Sequence, residues 1–236
     1  MKKLIIGFLS VCITLCAAVL GEIFPGLQEF GSENESAMEY EVPAYAGEIY
    51  TEINENVPFF TQKEMTTKSF ESYSNLDWLG RCGSAYANVS KELMPTEERG
   101  PIGMVKPSGW HTVKYPEVIE DLYLYNRCHL IGYQLTGENA NEKNLTTGTR
   151  YMNVEGMLPF ENAVAEYVKE TDNHVLYRVT PRFTENNLVA DGVLMEAYSV
   201  EDAGEGVSFC VFVHNVQPGV EIDYRTGESW LEEYRH

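Results

Sequence analysis

The sequence predicts an α+β domain built on an antiparallel β-sheet, and three stretches carry that expectation. In residues 175–182, Val175, Tyr177 and Val179 alternate with Leu176, Arg178, Thr180 and Arg182, the two-residue period of a strand with one face buried. Residues 193–200 and 207–213 are two more apolar strands, separated by the hairpin signal Asp202-Ala203-Gly204-Glu205-Gly206. Before them, Phe160, Val164, Tyr167 and Val168 recur at i, i+4, i+7 and i+8, an amphipathic helix that begins near Pro159.

Taken in chain order, residues 1–21 open with Lys2 and Lys3 and continue as an apolar run, which reads as an export signal or a retained membrane anchor. The run is close to the minimum bilayer span of about 17 residues, so length leaves both outcomes open. Either one places the rest of the chain outside a bacterial cell or at its surface. Residues 22–74 are expected to form an acidic, mostly irregular linker. They carry Glu22, Glu29, Glu33, Glu35, Glu39, Glu41, Glu48, Glu52 and Glu55, with no lysine or arginine before Lys63. A short ordered piece is expected around Val57-Pro58-Phe59-Phe60.

The globular domain is expected over residues 75–236. Residues 81–89 read as a strand, and 101–114 as a loop punctuated by Gly103, Pro107 and Gly109. Leu122-Tyr123-Leu124-Tyr125 is an apolar strand that runs into Asn126-Arg127-Cys128-His129, which places that quartet at a strand end. Residues 143–151 are irregular or extended. Asn153 precedes the helix and Glu161 lies in its first turn. The acidic tail after Gly227 is peripheral.

The net charge is −19, against the basic surface that a phosphate-binding protein is expected to carry. About half of the excess sits in the 22–74 segment, while residues 106–182 come close to balancing their acids with eight lysines and arginines. A local positive groove is therefore permitted. Cys82, Cys128 and Cys210 remain beyond the first segment; Cys82 and Cys128 each follow an arginine and either pair or stay as buried thiols.

The quartet supplies chemistry suited to a phosphodiester. His129 is largely neutral at physiological pH and can take a proton from water. Arg127, two residues away on an extended strand, shares its face and can bind a phosphate oxygen. Magnesium accepts oxygen ligands while keeping several waters, so one asparagine carbonyl can suffice to hold it. Arg178 and Arg182 share a strand face and extend the phosphate track.

These residues resemble the DNA/RNA non-specific endonuclease family, a ββα-metal (His-Me finger) group of secreted nucleases. The resemblance lies in Tyr125-Asn126-Arg127-Cys128-His129-Leu130-Ile131-Gly132-Tyr133, Asn144-Leu145, Thr149-Arg150-Tyr151-Met152-Asn153, Glu161, Tyr177-Arg178-Val179-Thr180-Pro181 and Asn215-Val216-Gln217-Pro218-Gly219. It covers roughly residues 76–229 and points to the streptococcal-type extracellular and DNA-entry branch. It implies His129 as general base, Arg127 as the arginine of the family's Asp-Arg-Gly-His motif, Asn153 as the magnesium ligand and Glu161 as the helical glutamate. Asn144 is the implied supporting residue, and Arg150, with Arg178 and Arg182, is expected to contact substrate. The implied activity is magnesium-dependent hydrolysis of DNA and RNA, irrespective of sequence, to 5′-phosphate ends, with manganese able to substitute. Asn126 and Cys128 depart from the motif's aspartate and glycine. A surface module that captures nucleic acid without cutting it is the rival reading; it predicts tight binding and no metal-dependent cleavage.

Overall fold

A computed structural model describes residues 40–120 and 123–232. The expected signal or anchor, the linker before residue 40 and the last four residues lie outside that range. Among the described residues no helix is long and apolar enough to cross a membrane.

The expected class is the one observed. Six antiparallel strands form the main sheet in the order β1 (Tyr50–Glu52), β8 (Ser208–His214), β7 (Gly192–Ser199), β6 (Val175–Arg182), β3 (Ala85–Val89) and β2 (Phe70–Tyr73). A separate antiparallel hairpin, β4 (Tyr125–His129) and β5 (Leu145–Thr149), leads into a helical run, and β9 (Val220–Ile222) pairs with β10 (Ser229–Leu231). A short helix α1 (Tyr133–Thr136) follows β4, and the long helix α2 spans Leu158–Thr171.

Strand alternation sorts the sheet's two faces. Val175, Tyr177, Val179, Val193, Met195 and Ala197 pack into a core with Val164, Ala165 and Val168 of α2 and with Cys128, Leu130 and Ile131 at the end of β4. The opposite face carries Leu194, Cys210 and Phe212 under Tyr40, Val42, Ile53 and Phe59. Burying these side chains supplies the main folding drive, each fully buried Leu, Val or Phe contributing about 1.5–3 kcal/mol.

Residues 40–74 thus differ from a linker. They are irregular for most of their length, but β1 pairs with β8 and β2 with β3, and Phe60 stacks on Tyr86. Their acidity concealed this because one acid is used internally: Glu64 pairs with Arg178 at 3.2 Å. The tail also contributes a strand, β10, whose Trp230 indole donates to Glu221. Cys82, Cys128 and Cys210 are all free and buried, so the Cys82–Cys128 pairing is absent.

Candidate active site

The hairpin and helix are tied to the sheet by one buried amide. Asn215, just after β8, accepts the Thr149 N–H at 2.8 Å and donates to the carbonyls of Thr147 (3.1 Å) and Ala190 (2.9 Å). Asn144 closes the far end of the hairpin. Its Oδ1 accepts the Ile131 N–H at 2.9 Å and its Nδ2 donates to the Ile131 carbonyl at 3.0 Å, with both residues fully buried. Asn144→Ala strips the partners from both the N–H and the C=O of Ile131, two residues after His129. Each orphaned polar group costs about 1–3 kcal/mol, so the expected loss is about 2–6 kcal/mol, read by denaturant titration.

The quartet forms the last four residues of β4, opposite β5, with His129 at the strand end as expected. Cys128 points into the core, and Gly148 across the hairpin makes room for it: a Cβ there would sit 2.5 Å from the Cys128 sulfur. The helix also starts earlier than Pro159. Residues 152–157 form a π-helical turn that runs directly into α2, with the Leu158 N–H bonded to the Asn153 carbonyl. Proline has no N–H and its ring crowds the carbonyl four residues back, so widening to i→i+5 spacing just before Pro159 relieves the conflict. Asn153 consequently sits inside a helical turn instead of ahead of one.

These elements surround an open cavity of about 500 Å³ whose lining includes Asn126, Arg127, His129, Asn153 and Glu161, with Arg99 and Trp110. His129 is 6% exposed, its Nε2 2.7 Å from the Asn139 carbonyl. A carbonyl only accepts, so Nε2 carries the proton and the lone pair is on Nδ1, which Arg99 Nη2 approaches to 3.3 Å. Burial lowers the ring's pKa; the hydrogen bond to Asn139 opposes this, and the Arg99 charge adds to it. The ring is therefore held neutral with its basic atom beside a cation.

Asn153 donates from Nδ2 to Asn126 Oδ1 at 3.3 Å, which leaves its own carbonyl oxygen for another partner. Glu161 is 8% exposed, and burial pushes its carboxyl up to about 8 against the weaker pull of Arg99. Gly132 permits this placement, since a Cβ there would meet Glu161 Oε2 at 2.5 Å. The Asn153 amide oxygen is a hard donor that suits magnesium, which retains waters and needs few protein ligands, and the Glu161 carboxyl, held largely protonated by burial, ionises most readily with a cation beside it. Among the described residues no group of three or more His, Cys, Asp or Glu is arranged to hold a metal.

Arg127 reaches the cavity, but two of its guanidinium nitrogens donate to the carbonyls of Val105 and Gly103 and its plane stacks on Trp110 at 3.9 Å. Arg99, exposed and next to the base, is the cation that the sequence reading missed. Flanking Glu97 and Glu98 hid it, although an arginine before Gly100-Pro101 in a loop is the available signal. The expected arginine track is corrected. Arg178 is paired with Glu196 at 2.8 Å and with Glu64 on the sheet face opposite α2, and Arg182 alternates onto that same face. Neither they nor Arg150 line the cavity.

The family model for "DNA/RNA non-specific endonuclease" matches residues 61–201. The fold is similar to a crystal structure of NucA from Streptococcus agalactiae with magnesium ion bound, at a TM-score of 0.70 and 25% identity, covering 82% of this chain and 91% of that one. The structure of Sda1 nuclease with bound zinc ion is similar in fold at a TM-score of 0.64 and 24% identity, covering 78% of this chain and 97% of that one. A curated deoxyribonuclease of Streptococcus dysgalactiae subsp. equisimilis is 26% identical over 71% of this chain. The chain spans 62% of the length of that relative.

Proposed function

Because the chain belongs to the DNA/RNA non-specific endonuclease family, we propose that the cavity at β4 and α2 is the active site of an exported, magnesium-dependent endonuclease that cuts DNA and RNA without regard to sequence. The observation that carries this reading is the His129 ring, neutral and fixed with Nδ1 as its basic atom beside Arg99, in one cavity with the oxygen donors of Asn153 and Glu161.

In this scheme His129 Nδ1 removes a proton from the attacking water, while the Asn139 carbonyl holds Nε2–H and keeps the ring oriented. The phosphate draws Arg99 off Nδ1 and onto a nonbridging oxygen, which frees the base and neutralises charge together. Arg127 adds positive charge to the cavity wall and pins residues 103–105 beside it. Asn153 would hold the magnesium, with Asn126 orienting its amide, and Glu161 would orient a water beside the cation rather than ligate it directly. When bound, the cation supplies Lewis-acid stabilisation of charge on the phosphate and on the departing oxygen. Manganese, another oxygen-seeking dication, is expected to substitute. Export follows from the charged and apolar character of residues 1–21.

The test is digestion of plasmid DNA and of a structured RNA by the purified protein with magnesium, with and without EDTA. Cleavage of both that EDTA abolishes is expected; cleavage that EDTA leaves unchanged counts against the metal assignment.

The His129 shift also sets the pH dependence. A ring with lowered pKa keeps its basic form further into acid, so activity is present above the folded pKa and lost as pH falls through it. At saturating magnesium the acid limb of kcat/KM is expected below 6.5, the ordinary imidazole value. A limb well above that value would assign the titration to another group.

A further inference from the structure

Away from the nuclease cavity, four side chains form a linked chain at one end of the main sheet. Ser90 Oγ is 2.8 Å from Ser69 Oγ, Ser69 Oγ is 3.5 Å from His174 Nε2, and His174 Nδ1 is 2.6 Å from Glu201 Oε1. The second carboxylate oxygen of Glu201 accepts the His174 backbone N–H at 2.8 Å, so one acid clamps both the ring and its backbone. Burial would raise the Glu201 carboxyl, but these two bonds outweigh it and hold the group below its ordinary value. An ionised Glu201 fixes the proton on Nδ1 and leaves the Nε2 lone pair facing Ser69. With Ser69 donating to that lone pair, the buried Ser90 hydroxyl donates to Ser69, and the chain is satisfied from end to end.

Ser69, Ser90 and His174 open onto a recess of about 430 Å³, completed by Lys91, Glu92 and Asp172. Glu201 stands behind the histidine and does not line it. Nucleophile and base at the opening, with an acid orienting the base from behind, is the arrangement by which a serine hydroxyl is activated. Such contacts are often long without substrate and shorten when it binds.

We propose that this recess is a second, metal-independent hydrolytic site in which Ser69 attacks small, uncharged carboxylic esters. Glu92 and Asp172 at its rim disfavour anionic substrates, nucleic acid included, and its volume suits a short acyl group. Ser69 Oγ forms a bond to the carbonyl carbon as its proton passes to His174 Nε2, and Lys91, which rests 4.0 Å from Asp172 at the rim, swings its ammonium to the developing oxyanion. The ester C–O bond then breaks, and the leaving alkoxide takes the proton from His174. Water repeats the sequence on the acyl-serine, losing a proton to His174 and releasing the carboxylic acid and free Ser69.

The purified protein is treated with p-nitrophenyl acetate and, separately, with a fluorophosphonate probe, both in EDTA so that the nuclease site is silent. Expected are p-nitrophenolate release and a probe adduct on Ser69 by peptide mass. Both are retained in His129→Ala and lost in Ser69→Ala, with plasmid cleavage by Ser69→Ala unchanged as the control for folding. A general base is worth about 10²–10⁴-fold, and the 3.5 Å contact places His174→Ala near 10²-fold. Glu201→Gln is expected to lower the rate while the melting temperature shows a folded protein. No adduct on Ser69 of the unmodified protein, or ester hydrolysis by Ser69→Ala at the unmodified rate, overturns the proposal.

Discussion

His129→Ala is expected to lower the single-turnover rate of duplex cleavage about 10³-fold, within the 10²–10⁴ range for loss of a positioned base. Truncation removes the only imidazole that lines the cavity among the described residues and takes away the Arg99 acceptor. Circular dichroism should show the same fold, because the ring's polar partners are a loop carbonyl and an exposed arginine. Added imidazole is expected to restore part of the rate, since the vacated space opens onto a cavity of about 500 Å³. Such rescue distinguishes a lost base from a structural defect, which imidazole would not repair. Undiminished cutting by the folded variant would remove His129 from the chemistry.

Asn153→Ala is the second large effect, and it should show in the metal dependence. Mutating an outer partner of a metal ligand typically costs 10–100-fold in affinity, so losing the amide oxygen itself is expected to raise the magnesium needed for half-maximal cleavage by about 10²-fold or more. The fold should survive, because the Asn153 side chain makes a single 3.3 Å bond, to Asn126. Asn126→Ala is expected to shift the same titration by less, since it releases the amide's orientation but leaves the oxygen present. An unchanged magnesium titration for Asn153→Ala would separate this residue from the metal.

Much of this candidate site is legible in the amino-acid sequence, for a physical reason. His129, Arg127, Asn153 and Glu161 lie on one local unit, a hairpin and the helix after it, and local periodicity reports local structure. The strands over 175–214 were readable for the same reason, each alternating or continuously apolar. What escaped depends on long-range pairing. β1 and β2 are short, polar strands held by partners far along the chain, so nothing in their own sequence separates them from an acidic spacer. Arg178 and Arg182 have the alternation of a strand, but alternation does not say which face meets the cavity. The buried Glu196 directly opposite Arg178 decides that, and the pairing exists only once β6 and β7 are in register. Arg99 was missed because its loop has no period, and only the fold carries it to a histidine 30 positions away.

The Asn126 and Cys128 departures acquire definite places. Cys128 is a core thiol accommodated by Gly148, remote in role from the chemistry. Asn126 is neutral where the motif has a carboxylate, and it bonds to the proposed metal ligand. The charge lost there leaves Glu161 as the only acid lining the cavity among the described residues.

The central claim is that this cavity cuts phosphodiesters instead of merely holding them. Its most direct test is the purified protein with supercoiled plasmid and magnesium, followed by end analysis of the products. The account predicts relaxed, then linear, then fragmented DNA bearing 5′-phosphate ends, with no cutting in EDTA. Tight, saturable binding of the plasmid with no magnesium-dependent strand breakage would contradict it.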